Sequence, residues 1–389
     1  MYPGVRDSSI EIDLEAAAHF TLGRQHLLER TPPDEAITVI DDILGLNAQG
    51  ALNFQLSLWN RVSELGHDFL PQALFEERSL VRSWLMRDTV HIVPASRLEL
   101  FRAALKRPLM NEWNRWTVKT GKKESPEEWE PLYPLVLERL EKHPLTMNEL
   151  LEEMGWSGQD DKGNLSRLVR EMSHQGLLCH TASSGPWYHN TEHAFARVDR
   201  WLPSSGEVPP EEREALTELV RRYLRSYGPA TVSDFSYWSG LRVRDAQPVF
   251  EAIADSMEEV SITGQRRKCL ILKEDINLLC SSHDLPPYVR LLPQFDALIM
   301  GHKDKSRFMR LDDKKSIFLP RADVAATILL DGKVEGVWKM RKKKKQWALE
   351  LSPFRDLSKE EDEALGKEIE ELRSFTGFEI VVDMKPVAA

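Results

Sequence analysis

The sequence predicts a mixed α+β chain that contains tandem repeats of helices followed by a β-hairpin. The first observation is a motif that occurs twice, as HPLTMNEL in residues 143–150 and as GPATVSDF in residues 228–235. In each copy a proline ends a helical pattern, and a threonine with an acid three places on has the pattern of a capping box. The second observation is that both copies continue through a Gly-containing stop, another helix and two extended stretches around a turn. This order of elements is typical of a winged helix and predicts nucleic-acid binding.

A further copy is predicted at the N-terminus; in chain order it is the first copy, and the motifs at residues 143–150 and 228–235 belong to the second and third copies. Residues 13–30 have helical apolar spacing, and residues 31–35 (TPPDE) break that helix and begin another. The second helix carries apolar residues at helical spacing and ends at Gly45 and Leu46. The β-rich run 81–93 is the predicted wing of this copy.

Beyond about residue 288 the repeat ends and the pattern becomes β-rich. Residues 291–301 and 331–338 alternate in polarity and include an Asp-Gly turn, and a helix over 358–373 and a strand over 378–382 follow. The predicted domains are winged helix 1 (residues 1–118), winged helix 2 (residues 119–205), winged helix 3 (residues 206–287) and a β-rich C-terminal domain (residues 288–389). Candidate linkers are residues 119–126 and 202–210.

Composition limits the partners and the compartment. The 389 residues include 52 basic and 62 acidic side chains, a net charge of -10, which argues against indiscriminate coating of nucleic acid but permits a basic cleft. No apolar run is long enough for a membrane span, and no signal peptide is evident. The scattered Cys179, Cys269 and Cys280 argue against a disulfide framework. We expect a cytoplasmic protein, associated with the nucleoid when bound to DNA, with no membrane partner and no obligate protein partner.

Several basic residues are candidates for phosphate contact. Residues 339–345 (KMRKKKK) lie between two strand-like stretches, so they form either a DNA-contacting hairpin tip or a solvated loop. On the repeats, the alternative to phosphate contact is a solvated helix face. The candidates are Arg167, Arg170, His174, Arg242, Arg244, Arg266, Arg267, Lys268, Arg341, Lys342 and Lys343.

Familiar catalytic signatures are missing, including phosphate-binding and dinucleotide-binding glycine loops, a Gly-x-Ser-x-Gly elbow and Cys-x-x-Cys. His189 and His193 have helical spacing but lack the pattern of a zinc protease, so no metal or other cofactor is expected. Directly after the stop at Gly45 comes Asn47-Ala48-Gln49. If this stretch is extended, its two amides project to one face and can hold a water molecule. Alternatively, they cap or buttress the next helix.

Four stretches together resemble the winged-helix DNA glycosylases of the AlkZ and YcaQ group. They are residues 44–49 (LGLNAQ), 84–93 (WLMRDTVHIV), 227–241 (YGPATVSDFSYWSGL) and 292–296 (LPQFD). The matches fall in order and cover the chain from about residue 13 to residue 354. The resemblance implies three winged helices and a β-barrel-like C-terminal domain that form a C-shaped clamp on duplex DNA. It also implies base excision repair, by hydrolysis of the N-glycosidic bond of N7-alkylated purines, including bulky adducts and interstrand crosslinks.

The family's catalytic motif, Gln-x-Gln or Gln-x-Asp, maps onto Asn47 and Gln49, with asparagine in place of the first glutamine. The resemblance implies that Gln49 orients the attacking water with help from Asn47, and that Arg87, Thr89 and His91 contact DNA or support the amides. An N7-alkylated purine is already cationic, so its departure requires neither a general acid nor a metal. The alternative function is a non-catalytic winged-helix DNA-binding protein, either a damage sensor or a transcriptional regulator.

Overall fold

The computed structural model describes residues 10–119, 129–181, 186–189, 193–202, 209–281, 288–344 and 346–385. The two predicted linkers lie largely outside these residues. The α-helices of four or more residues within them are α1 (Leu14–Arg24), α2 (Ala36–Asp42), α3 (Ala51–Trp59), α4 (Leu98–Lys119), α5 (Tyr133–Arg139), α6 (Met147–Glu153), α7 (Gln159–His174), α8 (Val198–Trp201), α9 (Glu212–Tyr227), α10 (Val232–Ser239), α11 (Val243–Ala252), α12 (Ile276–Leu279), α13 (Ala297–Met300), α14 (Lys314–Ile317) and α15 (Lys359–Thr376).

The strands of the same residues form four sheets. They are β1 (Ile10–Ile12), β2 (Leu46–Asn47), β3 (Leu80–Trp84), β4 (Val90–Pro94), β5 (Leu145–Thr146), β6 (Leu178–His180), β7 (Ala194–Arg197), β8 (Met257–Ile262), β9 (Cys269–Leu272), β10 (Val289–Leu292), β11 (Phe318–Leu319), β12 (Asp323–Val324), β13 (Ala326–Leu330), β14 (Lys333–Lys343), β15 (Gln346–Pro353) and β16 (Ile380–Met384).

Both copies of the repeated motif form the predicted capping boxes. The Thr146 hydroxyl accepts from the backbone N–H of Glu149 at 3.2 Å, and the Glu149 carboxylate accepts from the N–H of Thr146 at 2.7 Å. Thr231 and Asp234 make the same pair of bonds at 3.2 and 2.9 Å. The predicted hairpins are also present, as β6–β7, β8–β9 and, in the N-terminal copy, β3–β4.

The hairpins of the first and second copies join into one sheet. Its strand order is β2-β4-β3-β6-β7-β5, and β3 meets β6 in antiparallel fashion where Arg82 is opposite His180. The ring of Trp84 on β3 lies 4.2 Å from that of His180 and 6.2 Å from that of Phe195 on β7. The first two copies therefore share a continuous sheet.

The N-terminal strand β1 was not predicted. It pairs in parallel with β8, so that Ile10 is opposite Val260 and Ile12 is opposite Ile262. The N–H of Thr263 extends the pairing by donating to the carbonyl of Ile12 at 2.9 Å. Because the partner strand belongs to the third copy, no local pattern in the sequence indicates this contact.

The C-terminal domain contains an open sheet of order β10-β13-β14-β15-β16. The expectation of a barrel is wrong for the described residues, because β10 and β16 are the two edges and do not pair with each other. Helix α15 covers the sheet with Leu365, Ile369 and Leu372, in an apolar core that also includes residues of α2 and α3. The first copy and the C-terminal domain thus share one core.

A buried ion pair lies between these two parts of the chain. The Arg61 side chain, just after α3, donates from Nη1 and Nη2 to the two oxygens of Asp296 at 2.8 Å each, and both side chains are 0% exposed. The Ser57 hydroxyl donates to the same carboxylate at 2.8 Å, and Asp296 also accepts from the N–H of Leu298 at 3.0 Å. This cap explains why residues 297–300, predicted to be extended, begin a helix.

We expect Asp296→Ala to lower the free energy of unfolding by about 3–5 kcal/mol, because it leaves the Arg61 guanidinium buried without a counterion. Urea unfolding followed by circular dichroism measures the change. The matched control is Glu363→Ala, which removes a solvated partner 3.8 Å from Lys359 and should leave the transition nearly unchanged. Equal shifts for the two variants would contradict a structural role specific to the buried pair.

Candidate active site

The Asn47-Ala48-Gln49 motif begins at the end of a tightly turned segment. Leu44 and Gly45 have φ values of 61° and 100°, which turn the chain from α2 into β2. A side chain at Gly45 would place its Cβ 2.8 Å from Val93 Cγ1 and 2.9 Å from the Ile92 carbonyl oxygen, so only glycine fits this position. Strand β2 then pairs with β4, which places Asn47 opposite His91.

The two amides of the motif project to one side, as predicted, and they also contact each other, which was not predicted. Asn47 Oδ1 accepts from the backbone N–H of Gln49 at 3.1 Å, and Asn47 Nδ2 donates to Gln49 Oε1 at 3.1 Å. Because a backbone N–H can only donate, the first bond fixes which end of the Asn47 amide is the oxygen. Asn47 is half-buried and Gln49 is exposed. The alternative role, in which the amides support the next helix, also applies in part to Asn47, because its oxygen stabilises the turn that precedes α3.

Strand β4 places a neutral histidine beside the motif. His91 is 3% exposed, and its Nδ1 lies 2.9 Å from the carbonyl oxygen of Thr89. That oxygen can only accept, so Nδ1 carries the proton and Nε2 is left as an acceptor. Burial, together with the charge of Arg87, lowers the pKa of His91 to about 3. The Thr89 hydroxyl donates to the Met86 carbonyl at 3.1 Å, inside the β3–β4 hairpin.

The tip of this hairpin makes contacts with the other two copies. Arg87 and Asp88 have left-handed φ values of 55° and 58°. Arg87 donates to the carbonyl of Trp238 at the end of α10, and burial lowers the pKa of its guanidinium. Asp88 accepts from Arg170 Nε at 3.0 Å and from His174 Nε2 at 2.7 Å on α7. Burial alone would raise the pKa of Asp88, but its bond to His174 and the charge of Arg170 outweigh that effect and lower it.

Asn47, Arg87 and His91 line one small cavity. Its remaining lining residues are Leu44 and Gly45 of the same turn, Met86 of the β3–β4 hairpin, Tyr227 and Trp238 of the third copy, Phe295 of the loop 292–296, and Ala297 and Met300 of α13. Phe295 has a left-handed φ of 59°, a conformation that bulky residues rarely adopt outside functional sites. The sequence motif LPQFD pointed to this loop but assigned no role to its side chains.

Arg82 is a further neighbour of the motif that sequence reasoning missed. It lies on β3 and donates from Nη2 to the carbonyl of Ala48 at 2.8 Å. Its Nη1 lies 3.0 Å from a ring nitrogen of His193. An arginine inside a strand has no sequence signature that would single it out.

The basic residues that the sequence predicts to contact phosphate differ in how many contacts they make within the protein. Arg170 and His174 bond Asp88, Arg167 lies over the Trp129 ring at 5.8 Å, and Arg242 Nε donates to Asp245 at 2.8 Å. Arg244 is exposed, with Asp245 3.9 Å away.

Two basic clusters lie at hairpin tips, as predicted. Residues 266–268 are exposed in the β8–β9 turn, where Lys268 pairs with Glu259 at 3.1 Å. Residues 341–343 are exposed at the end of β14, where Lys342 Nζ donates to the Tyr188 hydroxyl at 3.3 Å. Lys345 lies outside the described residues. Both clusters are exposed, whereas Arg170 and Arg87 are half-buried.

The described ranges bring together no group of three or more histidine, cysteine or acidic side chains that could hold a metal ion. Within the same ranges, every helix is too short or too polar to cross a bilayer.

Comparison with known proteins supports the resemblance found in the sequence. The model of the AlkZ-like DNA glycosylase family matches residues 40–375. An interstrand DNA cross-link repair glycosylase of Streptomyces sahachiroi is 24% identical over 363 residues, which cover 89% of this chain and 91% of that protein. The solved structure of the Streptomyces sahachiroi DNA glycosylase AlkZ matches 97% of this chain and 100% of its own, with a TM-score of 0.81 and 22% identity. The fold is therefore shared along nearly the whole chain.

Buried neutral histidines make the stability depend on pH. Burial and nearby arginine charge lower the pKa of His91 to about 3 and that of His193 to about 4. Below the unfolded-state pKa of about 6.5 the unfolded chain therefore binds protons that the folded protein excludes, so stability is lost as the pH falls. We expect His91→Gln to reduce the loss of unfolding free energy between pH 7.5 and pH 5.5 by about 1.3 kcal/mol.

Urea unfolding at the two pH values measures this difference. The exposed His143→Gln variant is the control and should show the pH dependence of the parent chain. An unchanged pH dependence in His91→Gln would mean that this imidazole binds its proton as readily in the folded protein as in the unfolded chain, which would contradict the lowered pKa.

Proposed function

The chain belongs to the AlkZ-like DNA glycosylase family, and from this premise we propose that it hydrolyses the N-glycosidic bond of N7-alkylated purines in duplex DNA. The proposed substrates include bulky adducts and interstrand crosslinks, in line with the cross-link repair named for the Streptomyces relative. The observation that carries the proposal is the hydrogen-bonded amide pair of Asn47 and Gln49, presented at an exposed turn beside a neutral histidine.

The finer architecture is part of the proposal. Three winged helices within residues 1–118, 119–205 and 206–287 would precede the β-rich domain of residues 288–389, together forming a clamp on duplex DNA. Support comes from the two capping boxes and the three hairpins, since helices followed by a hairpin present a helix and a wing to nucleic acid.

Gln49 is proposed to orient the attacking water. Its side chain is exposed, and an amide can donate to and accept from the same water molecule. Asn47 is a positioning residue in this scheme, because its Nδ2 holds Gln49 Oε1 and its Oδ1 holds the Gln49 backbone. The pair is therefore ordered before substrate arrives, which lowers the entropic part of the barrier.

The neutral histidine beside the motif suits a cationic transition state, because it adds no positive charge there. Departure of an N7-alkylated purine leaves an oxocarbenium-like sugar, which nearby positive charge would destabilise. The lowered pKa of His91 keeps its imidazole neutral, and the proton on Nδ1 leaves Nε2 as an acceptor. Thr89 contributes by fixing the tautomer of His91, and Arg87 by lowering its pKa.

DNA contact is assigned to the exposed basic residues. A chain with a net charge of -10 depends on local clusters to attract phosphates, and the tips at 266–268 and 341–343 are such clusters. Arg244 is exposed near the start of α11, and Arg167 and Arg242 keep part of their surface accessible. Arg170 bonds Asp88 through Nε and Nη2, and its side chain is 32% exposed.

One feature favours the alternative of a non-catalytic damage sensor. Asn47 has a shorter side chain than the glutamine of the family motif, so the water position differs from the one that the motif provides in its relatives. The function of a transcriptional regulator is less well supported, because it does not account for the Asn47–Gln49 amide pair.

We expect Gln49→Ala to slow release of N7-methylguanine from duplex DNA by roughly 100-fold while the affinity for that DNA stays within about two-fold, since lost positioning acts on the transition state. Single-turnover release with enzyme in excess and EDTA present measures the rate, and fluorescence anisotropy measures the affinity. The exposed Gln247→Ala is the matched control and should behave as the parent chain.

A folded Gln49→Ala variant with full activity would show that the motif is not the catalytic centre. If the parent chain binds alkylated DNA selectively but releases no base from simple or bulky adducts, the sensor function replaces the glycosylase function.

We expect the triple variant Arg341→Gln, Lys342→Gln, Lys343→Gln to weaken binding to all DNA sequences and to lower the salt dependence of the affinity by about one unit for each lost phosphate contact. Binding titrations from low to moderate salt give that slope. Lys359→Gln, which removes a lysine with an 86% exposed side chain on α15, is the control. An unchanged slope in the triple variant would identify the hairpin tip as a solvated loop.

A further inference from the structure

Arg82 is a buried cation in the centre of the six-stranded sheet. It is 8% exposed, and its strand β3 lies between β4, which carries His91, and β6. Among the described residues no carboxylate pairs with it, and its Nε is buried without a hydrogen-bond partner. Its two other nitrogens reach the Ala48 carbonyl and His193. A buried guanidinium without a carboxylate partner lowers the stability of the fold, because no opposite charge offsets the loss of its hydration.

The contrast with Arg61 makes this arrangement informative. Arg61 is even more fully enclosed, at 0% exposure, but has both oxygens of Asp296 to neutralise it. The surroundings of Arg82 instead supply two imidazoles, and burial together with the charge of Arg82 lowers the pKa of both, that of His193 to about 4. Removing Arg82 would therefore leave no uncompensated charge behind, unlike removing either member of the Arg61 pair.

What Arg82 does contribute is the orientation of one peptide group. Ala48 is fully buried, and its N–H donates to the Val90 carbonyl at 2.8 Å while its C=O accepts from Arg82 at 2.8 Å. The next N–H, that of Gln49, is held by Asn47 Oδ1 at 3.1 Å. These three bonds determine the directions in which the side chains of Asn47 and Gln49 leave the backbone.

We propose that Arg82 is a positioning residue for base excision, which acts through the Ala48 carbonyl to hold the Asn47–Gln49 amide pair in its reactive orientation. This inference rests on the proposed function of that pair. It predicts an effect on the chemical step and not on DNA binding, because Arg82 is buried on the inner side of the motif. It also predicts that Arg82 contributes to the rate only while Gln49 is present.

The test is a double-mutant cycle between Arg82→Met and Gln49→Ala, read by single-turnover release of N7-methylguanine. Arg82→Met alone should slow release by roughly 10- to 100-fold, with DNA affinity within about two-fold of the parent chain. In the Gln49→Ala background it should cause no further loss. Arg82→Lys should retain more activity than Arg82→Met, because an ammonium group can still donate to the Ala48 carbonyl.

Arg78→Met is the matched control. Arg78 belongs to the same copy and also donates to a backbone carbonyl, that of Trp201 at 3.1 Å, but it has no contact with the motif. This variant should leave the rate unchanged, and thermal melting should show that each variant is folded at the assay temperature. If Arg82→Met is not folded there, the comparison of Arg82→Lys with the parent chain, alone and with Gln49→Ala, completes the cycle.

The outcomes separate this inference from the proposed function. Losses that multiply in the double variant, or full activity in folded Arg82→Met, would overturn the positioning role while leaving Gln49 as the catalytic residue. Full activity in Gln49→Ala would instead remove the proposed catalytic centre, and the role of Arg82 with it.

Discussion

The ion pair of Arg61 and Asp296 is the interaction on which the arrangement of the site depends. It lies in a region from which water is excluded, and it connects the helix that follows the amide motif to the loop that contributes Phe295 to the cavity. Two charges in such a place are tolerated only with complete hydrogen bonding, and Ser57 and the N–H of Leu298 provide the remaining bonds. The pair therefore fixes the distance between the first copy and the C-terminal domain.

A second constraint operates among the repeats. The hairpin tip at Arg87 and Asp88 contacts α10 with one residue and α7 with the next, so consecutive side chains bind the third and second copies. Strand β1 adds a connection from the N-terminus to the third copy. The three copies are therefore packed against one another and do not form independent units. The amide motif lies close to the β3–β4 hairpin that connects them.

Features determined by local chemistry could be predicted from the sequence, and those determined by distant contacts could not. The capping boxes at Thr146 and Thr231, the stop at Gly45 and the projection of Asn47 and Gln49 to one side all follow from residues a few positions apart. The parallel pairing of β1 depends on a partner in the third copy. The barrel expectation failed because alternation predicts strands but says nothing about whether the edges of their sheet meet.

The candidate site divides in the same way. The amides and His91 were identified from a motif, whereas Arg82 and the engagement of Arg170 by Asp88 depend on which strands and helices become neighbours. Helical spacing predicts that a basic residue lies on an accessible helix face. It does not show whether an acidic residue from another part of the chain lies opposite that face. Only the fold decides between phosphate contact and internal packing.

The bond from the Gln49 N–H to Asn47 Oδ1 closes a small ring within the chain. An asparagine has two rotatable side-chain bonds, and this ring restricts both, whereas a glutamine in the same place would have a third bond left to rotate. The asparagine side chain is therefore shorter than a glutamine but has fewer accessible conformers. Its consequence is kinetic: with fewer conformers to lose on the way to the transition state, the barrier at this motif carries a smaller unfavourable activation entropy, which raises the rate by the same factor at every temperature.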